Sequence, residues 1–433
     1  MIENYVIFFN IRNTFFLIFL LFDFGFPNIS KIHLVVNGTG NINILSNSFY
    51  NEPSEVIVNG VSKGETCKKI CSFEEGENNV TLIFEEQINS LKYIFSGCEN
   101  IKEIDLSEFN FSNILNMDSM FKLCVNLEKI NFGNIDTSKV EDMHCLFYGC
   151  SKLTFIDVSN FDTSQVTHME WMFRGCNSLE SIDVSYFNTS KVEDMHCLFE
   201  SCSKLTSIDV SNFDTSQVTN MGWMFFGCSS LESINISSFN TSKVENFYAI
   251  FYNCINLTSI DVSNFDTSQV TDMAWMFAGC NALESINISN FYTSKVENML
   301  SLFNNCFKLT SIDLSNFDTS QVTNMGLMFS GCNSLTSLDV SNFDTSKVTT
   351  MRSMFQNCDK LISINLSNFN TSNVTEMSLM FYSCNNLKSL DLSNFDTSQV
   401  TTVKEIFKDC NSLIYLNLDS FKLNNDIYAG NIF

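Results

Sequence analysis

The sequence has few of the residues on which most enzymes and nucleic-acid-binding proteins depend. Only 4 histidines occur in 433 residues, and 48 Asp and Glu residues outnumber 24 Lys and Arg residues, which gives a net charge of −24. Phosphate groups are bound by Lys and Arg, so this balance argues against nucleic acid as a partner. No Ser/His/Asp or Cys/His arrangement is evident. We therefore expect no catalytic activity and no cofactor.

Proline and long apolar runs are also scarce. The 2 prolines, Pro27 and Pro53, lie near the N-terminus. The apolar run over residues 15–22 is shorter than the ~20 residues that span a bilayer. With Arg12 before it, this run predicts a signal peptide over residues 1–26 or, if it is not cleaved, a hydrophobic anchor. We expect a secreted or surface-displayed protein whose membrane contact, if any, is made by this segment.

Cysteine, by contrast, is abundant and regularly spaced. Of 17 cysteines, thirteen recur every 26 residues without insertion or deletion. These grid cysteines are Cys98, Cys124, Cys150, Cys176, Cys202, Cys228, Cys254, Cys280, Cys306, Cys332, Cys358, Cys384 and Cys410. A constant period in this range indicates a solenoid, in which each repeat packs only on its neighbours.

One repeat, residues 202–228, shows the pattern of all the others. The text L-x-x-I-D-V alternates apolar and polar residues, which predicts a short strand with Leu205, Ile208 and Val210 facing inward. In the later segment V-x-x-M-x-x-M-F the apolar residues are three and four positions apart, which predicts one or two helical turns. The D-T-S segment between the strand and these turns is typical of a turn or helix cap. The sequence therefore predicts an α/β solenoid of about 13 repeats of 26 residues, with a parallel β-sheet on one face and short helices or turns on the other.

A second periodicity, of 52 residues, is twice the length of the repeat. Copies with S-Q-V-T alternate with copies with S-K-V-E, and Trp171, Trp223 and Trp275 recur every 52 residues. This indicates duplication of a two-repeat unit. Aromatic residues on this side of a repeat are more often core than surface, although exposed tryptophans would be good anchors for a partner.

The text of residues 205–228, LTSIDVSNFDTSQVTNMGWMFFGC, resembles the BspA-like leucine-rich repeat surface proteins, which include the mycoplasma-type surface-lipoprotein repeat. It carries Phe where many leucine-rich repeats carry Asn. The resemblance covers about three quarters of the chain. It implies a leucine-rich repeat array, surface or extracellular display, adhesion through protein–protein binding, and no catalysis. The lipoprotein branch has a lipid-acceptor cysteine after its apolar segment, and no such cysteine follows residues 15–22.

The segments that flank the repeats have different predictions. Residues 27–90 do not fit the grid, and the runs KIHLVV, EVIV and VTLIF predict strands of a small β-rich N-terminal cap. A solenoid end exposes an apolar cross-section, so it needs such a cap. We assign the leucine-rich repeat solenoid to residues 91–421 and a short, frayed C-terminal end to residues 422–433.

The main candidate binding residues form a column on the outward side of the predicted strands. They are Asp157, Asp183, Asp209, Asn235, Asp261, Asn287, Asp313, Asp339, Asn365 and Asp391. Three interpretations remain open: a surface that binds a partner protein, a solvated polar face, or a calcium site. Calcium requires six or more oxygen ligands around one point, and a flat column offers too few.

The cysteines and histidines give two further predictions. Cys67 and Cys71, outside the grid, are a candidate disulfide in the cap, whereas the grid cysteines are expected to form a row of buried thiols, with some disulfides as the alternative. His144 and His196 occupy the same position two repeats apart, ~10 Å at strand spacing, too far to share one metal ion. We expect no metal site.

These observations favour a binding protein over an enzyme. The expected partner is an unidentified protein, on a host or neighbouring cell, and the expected process is adhesion. A passive coat or spacer protein and a ligand-sensing receptor ectodomain are the alternatives.

Overall fold

The computed structural model describes residues 29–422 and 428–433, together with the backbone of residues 10–11 and 14–15. Strands β1 (Asn10–Ile11) and β2 (Thr14–Phe15) pair antiparallel. The rest of the predicted signal peptide or anchor, residues 1–26, lies outside the described residues. Within the described part, no helix has the length and apolar character that a membrane span requires.

The N-terminal cap contains six further strands and one turn of 3₁₀ helix. They are β3 (Ser30–Asn37), β4 (Gly40–Asn43), β5 (Glu55–Val58), β6 (Val61–Ser62), the 3₁₀ helix Gly64–Thr66, β7 (Ile70–Phe73) and β8 (Glu77–Phe84). Strands β3 and β8 pair antiparallel over eight residues. Along β3 the residues Ile32, Leu34 and Val36 are buried and their neighbours are not, as a period of two requires.

The cap sheet continues into the first two repeats. Strand β9 (Ile101–Asp105) pairs antiparallel with β3 and parallel with β10 (Lys129–Asn131). The six-stranded sheet has the order β10-β9-β3-β8-β5-β6, and β4 and β7 form a second, two-stranded sheet. Because β3 pairs with the edge of the first repeat, the cap covers backbone groups that would otherwise be unpaired.

The repeats, which we call coils, stack in register along the array. The phenylalanine three positions before each grid cysteine stacks on its equivalent in the next coil, with ring centroids 5.4–6.0 Å apart and interplanar angles of 2–16° from Phe95 to Phe407. All thirteen rings are buried. The prediction of a repeat solenoid is therefore confirmed.

The predicted helical turns are consecutive β-turns instead. We call this side the turn face, defined by residues 194–201 and their equivalents in other coils. Each coil has two residues with positive φ here, such as Cys197 at 56° and Ser201 at 61°, and left-handed residues interrupt an α-helix. The amides of Leu198 and Cys202 bond to carbonyls three residues earlier, at 3.3 and 3.1 Å, as in turns with positive φ at the third residue.

Hydrogen bonds between coils explain why turns replace helices. Every second amide of the turn face donates to a carbonyl of the next coil. In one coil these bonds are Met195 to Asn220 at 3.0 Å, Cys197 to Gly222 at 3.0 Å, Phe199 to Met224 at 2.9 Å and Ser201 to Phe226 at 2.6 Å. In an α-helix these amides would bond within their own segment, so the helical alternative would leave the coils unconnected here.

The opposite side, which we call the strand face, consists of residues 206–210 and their equivalents. Regular parallel pairing occurs at the two ends, between β9 and β10 and between β11 (Ser389–Asp391) and β12 (Tyr415–Asn417). In the central coils fewer backbone hydrogen bonds connect neighbouring strand segments. One example is the bond from the Glu232 amide to the Thr206 carbonyl at 3.3 Å. The predicted continuous sheet is therefore wrong for these coils, which are bonded mainly through the turn face.

Buried threonines form a second set of bonds between coils. In one coil Thr241 is 1% exposed. Its Oγ1 accepts a hydrogen bond from the Asp266 amide at 2.8 Å and donates to the Asp266 carbonyl at 3.0 Å. The same position of the D-T-S segment is buried from Thr137 to Thr397. These threonines are thus core residues of the stack and not only turn residues.

The grid cysteines are free thiols that connect the coils by hydrogen bonds. From Cys124 to Cys410, each Sγ donates to the carbonyl of the phenylalanine 29 residues earlier, at 3.1–3.3 Å. Burial raises the pKa of Cys228 to about 12, so the thiol keeps the proton that it donates. Cys410, at the end of the row, is the half-buried member.

We expect these thiols to resist labelling in the native protein. With Ellman's reagent at pH 8, the fifteen free cysteines should react slowly, with Cys410 first, and all should react at once in 6 M guanidinium chloride. The denatured protein is the control for reagent and thiol content. Rapid labelling of most thiols in the native state would contradict the buried, protonated row.

The alternation of two kinds of coil also separates like charges along the stack. Lys191, Lys243, Lys295 and Lys347 each donate through Nζ to a glutamine of the preceding coil at 2.6 Å. Because lysine and glutamine alternate, like charges in this column are two coils apart. Lysines in successive coils would repel each other at the spacing of the stack.

Residues 428–433, which belong to the expected frayed end, pack on the preceding coil. The amides of Glu405 and Phe407 donate to the carbonyls of Gly430 and Ile432, at 3.0 and 2.9 Å. The ring of Phe433 stacks on Phe407 with centroids 5.8 Å apart. Residues 428–433 therefore continue the turn face by half a coil.

Candidate functional site

The ten candidate Asp and Asn residues lie in one exposed column on the strand face. Each accepts, through its side-chain Oδ1, a hydrogen bond from the backbone amide two residues later, at 2.9–3.2 Å. This is the Asx-turn, which Asp and Asn form equally well. The turn explains why these two residue types alternate in the column without disturbing the coil.

The turns also keep the aspartates ionised. Side-chain and backbone hydrogen bonds from Ser211 lower the pKa of Asp209, and Ser263 lowers that of Asp261 in the same way. These two aspartates therefore carry negative charge at neutral pH. Each residue has a local structural role that accounts for its presence, whether or not a partner also binds there.

Cys67 and Cys71, the candidate pair in the cap, are joined by a disulfide bond, with Cα atoms 4.7 Å apart. Both side chains are buried. Cys71 lies in β7, which pairs with β4. The bond therefore fastens the segment around the 3₁₀ helix to the small sheet of the cap.

The turn face carries the residues that differ from coil to coil. On the strand face the positions of Ser207 and Asp209 hold Ser and Asp or Asn in most coils, whereas the position six before the grid cysteine changes from each coil to the next. In chain order it holds Lys92, Asp118, His144, Glu170, His196, Gly222, Tyr248, Ala274, Leu300, Gly326, Arg352, Ser378 and Lys404. The prediction from sequence centred on the uniform column and missed this one, although aligning the repeats shows the variation.

At the N-terminal end of the turn face these variable residues form a charged cluster across three coils. Asp118 is only 5% exposed. Its carboxylate contacts Nζ of Lys92 at 2.8 Å and Nδ1 of His144 at 3.1 Å. Burial opposes ionisation, but the hydrogen bonds from His144 and Lys92 outweigh it and hold the pKa of Asp118 well below its usual range. The hydrogen bond to Asp118 raises the pKa of His144 to about 10.

This cluster predicts a pH-dependent stability. Because the folded-state pKa of His144 is above its unfolded value of 6.5, its contribution is complete below pH 6.5 and is lost as the pH rises through about 10. The destabilisation by His144→Gln, measured by urea denaturation, should therefore be larger at pH 6 than at pH 10. The matched control is His168→Gln, at an exposed histidine. A loss that is the same at both pH values would contradict the ion pair.

A second group on the turn face surrounds Arg174. Its Nε lies 2.8 Å from Oε2 of the buried Glu200, and its Nη1 donates to the Tyr148 hydroxyl at 3.0 Å. The guanidinium also lies over the rings of Tyr148 and Trp171, at 5.0 and 5.9 Å from their centroids. Tyr148, Arg174 and Glu200 line a shallow groove of about 380 Å³.

His144 and His196, which occupy the same position two repeats apart, have different partners. His144 bonds to Asp118, whereas His196 contacts Asp194 in its own coil at 2.8 Å. Among residues 29–422 and 428–433, no group of three or more His, Cys, Asp or Glu side chains is placed to hold a metal ion.

Comparison with known families identifies the repeat. Residues 89–182, 169–285, 250–338 and 328–433 match the family described as "Mycoplasma protein of unknown function, DUF285". The chain belongs to this family. The four DUF285 matches together cover the stacked coils from residue 89 to residue 433. No curated protein matches the chain.

The comparison with solved structures adds little to the DUF285 assignment. The structure titled "Crystal structure of TLR13-ssRNA13 complex" aligns at 17% identity over 77% of this chain, with a TM-score of 0.27. The chain spans 45% of the length of that protein. A TM-score this low supports no argument about shared fold or function.

Proposed function

We propose that this DUF285 protein is a secreted or surface-displayed binding protein, and that its solenoid mediates cell adhesion by binding proteins on a host or neighbouring cell. The observation that carries the proposal is the variable turn face, whose side chains change between coils that share one backbone and one core. Such variation supplies individual contacts without cost to the stack. The resemblance of residues 205–228 to BspA-like leucine-rich repeat surface proteins supports the same function.

The proposal also covers where the protein is located and whether it catalyses a reaction. Residues 1–26 would direct the chain out of the cell, or hold it at the membrane if they are not removed. The chain would have no catalytic activity and no cofactor. Stacked coils suit this role because a solenoid offers a long surface on which many weak contacts add up.

The first experiment is binding of the purified, fluorescently labelled full-length protein to intact cells and to immobilised extracellular matrix proteins. We expect saturable binding that unlabelled protein displaces. The heat-denatured protein is the control for adhesion of exposed apolar surface. Absence of specific binding to every cell type and matrix protein would favour the alternative of a passive coat or spacer.

A variant of the strand face separates the two candidate surfaces. Asp209, Asp261 and Asp313 are changed together to Asn, which natively forms the same turn at Asn235, so charge changes and structure does not. Loss of cell binding would assign the partner to the strand face. Unchanged binding would favour the turn face as the binding surface. N-terminal sequencing of the mature protein tests the third alternative, a membrane-anchored receptor ectodomain.

A further inference from the structure

We propose that a band of aromatic residues on the turn face binds a proline-rich segment of a partner protein, held in the polyproline II conformation along the axis of the solenoid. The aromatic band consists of Tyr148, Trp171, Trp223, Tyr248, Tyr252 and Trp275, all half-buried. This inference rests on the proposed protein-binding function and specifies its surface and the chemistry of its partner.

The band consists of tryptophan–tyrosine pairs that bridge adjacent coils. The ring centroids of Tyr148 and Trp171 are 6.4 Å apart, those of Trp223 and Tyr248 are 4.6 Å apart, and those of Tyr252 and Trp275 are 5.1 Å apart. The planes are tilted by 47–57°. Tilted rings do not cover each other, so the Trp223–Tyr248 and Tyr252–Trp275 pairs each present two ring faces at an angle. At the Tyr148–Trp171 pair the guanidinium of Arg174 lies over both rings.

The backbone under the tryptophans indicates that the fold does not require these side chains. Trp171, Trp223 and Trp275 have φ values of 60°, 56° and 63°, where a bulky residue is uncommon. Serine holds the equivalent position at Ser119, Ser301 and Ser353, and glycine, the least strained choice, never does. Leucine also occupies this position, at Leu327 and Leu379, so the stack does not require a tryptophan ring there and the three rings are available for an external contact.

The spacing of the tryptophans selects the conformation of the ligand. Amide–carbonyl bonds connect successive coils along the turn face, as in a parallel ladder with ~4.8 Å between strands, so tryptophans in every second coil recur at ~9.6 Å. A polyproline II helix repeats after three residues, or ~9.3 Å. An extended strand presents the same side every ~6.8 Å, and an α-helix presents it after seven residues, or ~10.5 Å. Polyproline II fits this spacing best.

The chemistry of the surface agrees with this choice. Aromatic-lined notches are the usual receptors for polyproline II segments, which lose little conformational entropy on binding. The protein has a net charge of −24 and only 2 prolines, both in the N-terminal region. The ligand is therefore a segment of another protein, and Lys or Arg beside its prolines would be attracted by the acidic chain.

The test uses the full-length protein and a synthetic peptide of about twelve residues, rich in proline and flanked by arginine, labelled for fluorescence anisotropy. The matched peptide has glycine in place of each proline. All 3 tryptophans of the chain lie in the band, so their intrinsic emission reports binding directly. We expect saturable binding of the proline peptide, a shift in tryptophan emission, and at least about tenfold weaker binding of the glycine peptide, which must lose more conformational entropy.

The variant that tests the surface changes Trp171, Trp223 and Trp275 to Ser, the residue native to other coils. It should weaken peptide binding by at least about tenfold, as loss of aromatic anchors does. Tyr248→Ala, which copies Ala274, is a second variant should the triple variant fold poorly. The control is Phe155→Ser with Tyr186→Asn, which removes one aromatic residue from the strand face and one from the turn that follows it, 63% and 66% exposed, and should leave binding unchanged.

The outcomes separate this inference from the proposed function. No binding of the proline peptide, equal binding of both peptides, or full binding by the triple variant would overturn the inference. Emission shifts with β-linked oligosaccharides and not with the peptide would also overturn it. If the triple variant still adheres to cells as the native protein does, the inference is wrong and the proposed function stands. If the native protein binds no cell or matrix protein, the proposed function is wrong.

Discussion

Replacing Phe225 with alanine is expected to lower the free energy of unfolding by about 3–5 kcal/mol. The ring is completely buried and stacks on Phe199 at 5.7 Å and on Phe251 at 5.8 Å. Alanine would therefore leave a cavity that touches two coil interfaces. The measurement is urea denaturation followed by circular dichroism, in parallel with the native protein.

The matched control is Phe155→Ala, which removes the same ring from a site where it is 63% exposed. Its effect should be within about 0.5 kcal/mol. Because each coil contacts only its neighbours, weakening one interface can also separate the unfolding of the two halves, which would appear as a broader transition. A loss below about 1 kcal/mol for Phe225→Ala would contradict a continuous phenylalanine core.

Thr241→Val should be the second most damaging substitution, with a loss of about 2–4 kcal/mol. Valine has nearly the shape of threonine but no hydroxyl. It would leave the amide and the carbonyl of Asp266 without the partners that they have at 2.8 and 3.0 Å. Hydrogen exchange measures the local effect, because the Asp266 amide should lose its protection together with the fall in global stability.

The control for this substitution is Thr206→Val, where the threonine is exposed on the strand face. The chemical change is identical, but no buried backbone group loses a partner, so stability should change by less than about 0.5 kcal/mol. Equal effects of the two substitutions would show that the hydroxyl of Thr241 contributes nothing beyond side-chain volume.

Much of the fold can be read from the repeat itself. Once one coil places Phe225 and Cys228 in the core, the constant period places all their equivalents there, and the stacked rings and buried thiols follow. Leu205, Ile208 and Val210 face inward as alternation predicts. These features could be predicted because each depends on burial of a side chain, which composition and spacing encode within a single repeat.

The candidate site could be predicted only in part. The Asp and Asn column was found because the same residue recurs, but its main contact, an Asx-turn with the residue two positions later, is local and structural. The cluster of Lys92, Asp118 and His144 was missed because it joins one residue from each of three coils. Residues of different coils become neighbours only when the coils are stacked in register. The pattern within a single repeat therefore does not indicate these contacts.

The period, the core residues and the existence of a stack follow from the repeat alone, because a 26-residue repeat with a constant apolar pattern buries its surface only against copies of itself. The backbone conformation between Met195 and Cys202 depends instead on contacts between coils. Local spacing there favours a helix, but the amides are needed for bonds to the next coil, and turns with left-handed residues direct them outward. Hydrogen bonding between coils therefore outweighs the local preference for a helix. The same stacking places the variable side chains next to each other on the turn face.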